Sequence, residues 1–200
     1  PISPQEKLTF KRKILGIESK VMLFVHTFNE CRGIDLLPLI AKKIQEKNLN
    51  IIILAIGRAG DYSEKLNQKI EENDLQDLIF NLGEVANRNI VPYYQMADLF
   101  LMPSRGEGFP RVLLEAMATG CPSISFDVGG VLEILPPLEK ANFVIDLDSE
   151  ERFIDKSIEF INNQEILDNL SVESYQKVKT YKTENIVEMY LNSLSEIETT

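Results

Sequence analysis

The chain has 200 residues, which suits one domain, and 44% of them are hydrophobic, enough for a sizeable core. Its formal net charge is −10 and its pI about 4.7, the opposite of the balance carried by a nucleic-acid-binding domain. No apolar run reaches membrane-spanning length, no secretory signal is visible, and Cys31 and Cys121 have neither metal spacing nor that of a disulfide framework, which suits a reducing compartment.

In chain order, apolar runs at 21–25, 51–56, 79–82, 99–102, 123–126 and 143–145 are expected to be strands. Helical patterns lie between them at about 33–47, 63–73, 91–95 and 111–118, and two or three helices from about 149 to 196 close the chain. The run from Ile51 to Ile56 has no polar alternation, as expected of a parallel strand covered on both faces. The alternation predicts an α/β fold: a doubly wound parallel sheet of about six strands with helices on both faces. Ligands in that architecture sit at the carboxyl ends of the strands, near a switch in strand order. The loops at 26–32, 57–60, 83–87, 104–109 and 127–130 should therefore share one rim. Acidity concentrates after Asp146, on what read as solvated helix faces. The chain opens on Pro1 rather than Met, as expected of a piece of a longer protein.

The densest information lies between Pro103 and Gly120. A Gly-bearing loop leads into a helix with Pro110 at its start, where a fixed φ is tolerated. That helix is apolar nearly all round, which predicts burial, with Arg111 and Glu115 as polar exceptions. A cation in the first turn opposes the helix dipole, so Arg111 suggests an anion docked there. Glu115 on a buried helix needs a partner: Arg111 four residues earlier, or a ligand. Glu107, just ahead of the helix, is either a dipole-favoured capping carboxylate or a ligand contact.

The frame Glu-Gly-Phe-x-x-x-Leu-Leu-Glu-Ala-Met-Ala-x-Gly-x-Pro, with seven residues between Glu107 and Glu115, resembles the Glu-x7-Glu signature of retaining GT-B glycosyltransferases, the group 1 or family 4 enzymes. Segments 21–37, 51–60, 79–85 and 125–134 resemble the family's successive strand-and-loop units, and the likeness runs from about residue 8 to about residue 195. The resemblance implies the Rossmann-like, C-terminal half of a GT-B fold. Residues 1–200 would form one donor-binding domain, with the N-terminal acceptor domain of the full-length protein outside this chain. It implies a nucleotide-diphospho-sugar as donor substrate, no metal or other cofactor, and an unidentified acceptor such as a glycan or lipid-linked glycan in polysaccharide biosynthesis. It also implies no membrane span and a cytoplasmic location, peripheral at the inner face of the membrane through the missing domain.

By the same resemblance Glu107 meets the donor sugar and Glu115 accepts the two ribose hydroxyls. The backbone amides of Gly108 and Phe109 meet the sugar and diphosphate, and Val85 lies near the base. Val112 and Leu113 offer first-turn N–H groups to phosphate. Arg32 matches the family's phosphate-binding Lys. Two departures stand out: Pro110 occupies a place often held by Gly, and Thr27 one held by an Arg that stabilises the leaving diphosphate. His26, the only histidine, is either a donor to phosphate or a polar strand-end residue. Arg105 is a further candidate cation, or a surface residue. The segment 181–196, with Ile186, Val187, Met189, Tyr190, Leu191 and Leu194 at helical spacing, resembles the family's terminal helix, which returns to the other domain.

Asp146-Leu147-Asp148 resembles a metal-binding Asp-x-Asp, but Asp148 or Ser149 as a helix cap accounts for it. A dinucleotide oxidoreductase would need Gly-x-Gly-x-x-Gly after the first strand, which residues 26–33 lack. A GT-B-like epimerase or phosphorylase, and a non-catalytic sugar-nucleotide-binding module, remain as alternatives.

Overall fold

The apolar runs become the strands of a single sheet. In the computed structural model, which describes residues 3–137 and 143–181, the elements in chain order are α1 (Pro4–Leu15), β1 (Lys20–Val25), α2 (Leu37–Glu46), β2 (Ile51–Ile56), α3 (Ser63–Glu72), β3 (Ile79–Gly83), α4 (Asn87–Met96), β4 (Leu99–Met102), α5 (Arg111–Thr119), β5 (Ser123–Phe126), α6 (Val131–Ile134), β6 (Val144–Ile145), α7 (Glu150–Ile161) and α8 (Gln164–Val178). The six strands run parallel in the order β3-β2-β1-β4-β5-β6. This is the expected α/β doubly wound sheet. All six residues of β2 are buried, as its unbroken apolar run requires. Helices α2, α3 and α7 pack together as one layer, and α1, α4, α5 and α8 as a second.

The order reverses between β1 and β4, which pair from Met22 with Leu99 to Phe24 with Leu101. Loops leaving these two strands run in opposite directions and open a crevice between them. The β1–α2 connection departs from expectation. A single helix over 33–47 is replaced by two 3₁₀ turns, Glu30–Arg32 and Ile34–Leu36, ahead of α2. Gly33 sits between them at φ 73°, and a Cβ there would stand 1.9 Å from the Pro103 carbonyl oxygen. Only glycine permits that approach, which lays the β1–α2 segment against the exit of β4.

Helix α1 lies ahead of the first element expected from the sequence. Ser3 and Glu6 form a capping box: the Ser3 N–H donates to Glu6 Oε2 (2.8 Å) and the Glu6 N–H to Ser3 Oγ (3.3 Å). Lys11 Nζ docks the helix on Asp98 Oδ2 at 2.6 Å, and that oxygen also accepts the Val21 N–H at 2.7 Å. Helix α4 begins at Asn87, before the expected 91–95, and contains Pro92. The closing helices appear as α7 and α8, while residues 182–196 of the expected terminal helix lie outside the described residues.

Candidate functional site

The residue that follows β1 turns toward the crevice. His26 continues the ladder by donating its N–H to Ile56 O (3.1 Å). Its Nδ1 accepts the Thr27 N–H at 2.8 Å, so the neutral ring carries its proton on Nε2. That Nε2 stands 3.4 Å from Glu107 Oε1. Thr27 turns away: its methyl faces Gly60 in the β2–α3 loop. Arg32 closes the first 3₁₀ turn, where Asn29 Oδ1 accepts its N–H, and its Nη1 lies 2.6 Å from Glu107 Oε1.

Glu107 is thus the meeting point of the crevice. Its side chain is only 9% exposed. The Arg32 Nη1 hydrogens are directed to Ser104 Oγ (3.3 Å) and the Gly106 carbonyl, so Oε1 receives charge but no well-aligned hydrogen bond. Burial opposes ionisation, but contacts from His26 and Ser104 and the charge of Arg32 outweigh it and hold the carboxyl below the usual carboxylate range. The loop backbone is fixed from the other side. Gly129, at φ 51°, lies so close that a Cβ would stand 2.1 Å from Glu107 O, and the Gly130 N–H donates to Gly108 O at 2.8 Å.

The adjoining end of α5 is open. Pro110 is the N-cap and supplies no side-chain cap. The amides of Arg111 and Val112 meet no acceptor among the described residues. Leu113 differs from expectation: its N–H is used by Pro110 O at 3.1 Å and its side chain is fully buried, so Arg111 and Val112 are the donors left for an anion. Arg111 is exposed and makes no ion pair among the described residues. Gly108 and Phe109 are both exposed, and the Phe109 ring packs on Tyr181 at 6.0 Å.

Two expectations need correction. Helix α5 is not buried all round: Glu115 is exposed, as are Arg111 and Ala118. The helix buries Leu113, Ala116 and Met117, packs beside α4 and α8, and turns Arg111, Glu115 and Ala118 outward. The partner of Glu115 is Tyr94, whose buried hydroxyl donates to Oε2 at 2.9 Å, while Arg111 forms no pair with it. Burial and then the nearby Glu115 charge push the Tyr94 hydroxyl up, so it stays a donor. Glu115 borders a cavity of about 400 Å³ shared with Leu114, Tyr175 and Tyr181. Arg105, in turn, is no free surface residue: it is tied to Asp35 and Glu150. These long-range ties leave no trace in local sequence.

Val85 lies half-buried beyond β3 and packs against the hydrophobic core. Ser149 is the N-cap residue of α7, but its side chain makes no cap bond; Asp146 pairs with Arg152 at 3.5 Å. Among the described residues no three His, Cys, Asp or Glu side chains converge on a metal position, and no helix is long and apolar enough to cross a membrane.

Residues 7–179 match the family described as glycosyl transferases group 1. The chain is 26% identical to N-acetyl-alpha-D-glucosaminyl L-malate synthase of Bacillus anthracis, over 92% of this chain and 50% of that protein. Among solved structures it resembles HepE from Anabaena in complex with UDP and glucose, with TM-score 0.81 and 19% identity over 98% of this chain and 53% of the other. It also resembles the C-terminal domain of a glycosyl transferase group 1 protein, LpcC, from Francisella tularensis, with TM-score 0.73 and 22% identity over 92% and 95% of the two chains. The match spans from 27% to 50% of the length of the curated relatives.

Proposed function

This chain belongs to the glycosyl transferases group 1 family, and on that premise we propose that it is the donor-binding, C-terminal domain of a retaining, metal-independent glycosyltransferase. The donor is a nucleotide-diphospho-sugar, and the acceptor hydroxyl is presented by an N-terminal domain of the longer protein. One observation carries this reading. A buried, ionised carboxylate with an unfilled hydrogen-bonding position, Glu107, stands at the strand-order switch beside the open N-terminus of α5.

The chemistry follows from that pairing. The diphosphate docks on the amides of Arg111 and Val112, with the cations Arg32 and Arg111 at hand to balance its charge. Glu107 Oε1 takes up a sugar hydroxyl in place of the hydrogen bond it lacks, which requires Arg32 to turn part of its guanidinium from the carboxylate to phosphate. Glu115 keeps one oxygen on Tyr94 and offers the other to the ribose diol. Gly108 and Phe109 present backbone to the sugar, and Val85 borders the base. His26 replaces part of the donor capacity that Thr27 lacks, through its Nε2–H. As the glycosidic bond breaks, charge develops on the leaving diphosphate, and these fixed groups stabilise it while the acceptor hydroxyl attacks from the same face and passes its proton to the departing phosphate oxygen.

Calorimetry on the purified chain tests the reading. UDP, GDP or ADP should bind with the same affinity in the presence of EDTA, and no sugar transfer to an added acceptor is expected from this domain alone. Strict dependence on Mg²⁺ or Mn²⁺ would refute metal independence.

A further inference from the structure

Arg105 faces none of the ligand positions above, yet its guanidinium joins three segments. Nη1 donates to Glu30 O (2.7 Å) and Asp35 Oδ1 (2.8 Å), and Nη2 to Asp35 Oδ2 (2.8 Å) and Glu150 Oε1 (2.6 Å). Its backbone N–H donates to Cys31 O at 2.8 Å. One residue of the β4–α5 loop thus grips both 3₁₀ turns of the β1–α2 segment and the first turn of α7.

These ties flank the functional contact. Arg32 follows Cys31 directly, and Glu107 lies two residues beyond Arg105. The Glu107–Arg32 contact therefore spans two loops whose separation is set one or two residues away. The Asp35 side chain is only 16% exposed, and with Arg105 removed it and Glu150 would share that space without their common cation. Their repulsion would part the segments that Arg105 draws together.

We propose that Arg105 is a positioning residue, which clamps the β4–α5 loop to the β1–α2 segment and so holds Glu107 in register with Arg32 and His26 for the sugar end of the donor. This rests on the donor-site reading of the crevice. The fork geometry is essential, because two parallel bonds to Asp35 fix orientation as well as distance, which a lysine ammonium cannot do.

Arg105→Lys is the informative variant, since it keeps the charge and loses the fork; Asp35→Asn removes the fork from the other side. Two readouts are needed, with thermal melting to confirm that each variant folds. In both variants the ¹³C-NMR titration of the Glu107 carboxyl should move up toward the ordinary carboxylate range. Affinity for UDP-glucose, UDP-N-acetylglucosamine or GDP-mannose should fall about tenfold, while UDP and GDP stay within about twofold. An unmoved Glu107 titration in the folded variants overturns the proposal, as does a loss shared equally by nucleotides with and without sugar. Wild-type protein that binds none of these nucleotides refutes the donor-site reading instead, and the Glu107 titration then still decides whether Arg105 sets that carboxylate.

Discussion

Two cation–carboxylate pairs lie at opposite ends of the same sheet, and they are finished differently. At the amino end Asp98 takes Lys11 Nζ at 2.6 Å and the Val21 N–H at 2.7 Å on one oxygen, with both side chains almost wholly covered. At the carboxyl end Glu107 has Arg32 at 2.6 Å and His26 at 3.4 Å, yet its buried Oε1 has no aligned donor. Among the described residues the first pair leaves no buried side-chain atom without a partner and serves the fold: it fastens α1 to the β4 entrance. The second leaves a need that a ligand can meet. An unsatisfied buried acceptor costs free energy, and a hydroxyl donor that reached it would offset that cost.

That contrast can be broken from either side. The largest expected effect is on the structural pair. Lys11→Met leaves Asp98 covered without its cation and should lower unfolding free energy in urea by about 3 kcal/mol. Nucleotide affinity of the folded fraction should not change. Glu107→Gln should do the reverse. Stability should fall by no more than about 1 kcal/mol, since the amide keeps the shape of the side chain and loses only the charge that Arg32 and His26 favour. Affinity for the nucleotide-sugar, read by calorimetry, should fall by about 2 kcal/mol through loss of a charged hydrogen bond.

Glu115 provides a smaller, sharper comparison. It is exposed and already bonded to Tyr94, so Glu115→Gln should weaken binding of the free nucleotide by about 1 kcal/mol, with stability unchanged. Unchanged affinity would remove it from the ribose site.

The smallest effect is in pH dependence. Glu107 is held below the usual carboxylate range in the folded state, so its ionised form adds stability that is fully present above that range and is lost as pH falls through the folded value. Urea midpoints from about pH 7 to about pH 3 should therefore drop more steeply for wild type than for Glu107→Gln, with the curves converging toward the acid end. Parallel curves would show that the carboxylate is not selectively stabilised.

The strands were legible because four of them, at 21–25, 51–56, 99–102 and 143–145, are unbroken apolar runs, and the other two are interrupted only by Asn81 and by Ser123 and Ser125; every expected strand falls within a residue or so of its observed place. Ser3 and Glu6 spell a capping box ahead of α1, but the turns that follow are polar and carry only a weak apolar stripe, so the local pattern does not announce a helix. The Glu107, Arg32 and His26 cluster was legible as three loop residues bound for one rim, but not as a contact. The exposure of Glu115 is not legible, because a mostly apolar helix implies burial on all sides, whereas Ala118 and Arg111 lie beside it on an exposed face. The ties of Arg105 to Asp35 and Glu150 were beyond reach, since they join residues 70 and 45 positions apart. Such pairings depend on how the segments pack, which no local pattern encodes.

The most direct measurement is a crystal structure of this chain soaked with a nucleotide-sugar such as UDP-N-acetylglucosamine. The account predicts sugar hydroxyl density on Glu107 Oε1, the diphosphate on the amides of Arg111 and Val112, and Arg32 turned toward phosphate. A nucleotide seated elsewhere, with the Glu107–Arg32 contact intact, would contradict it.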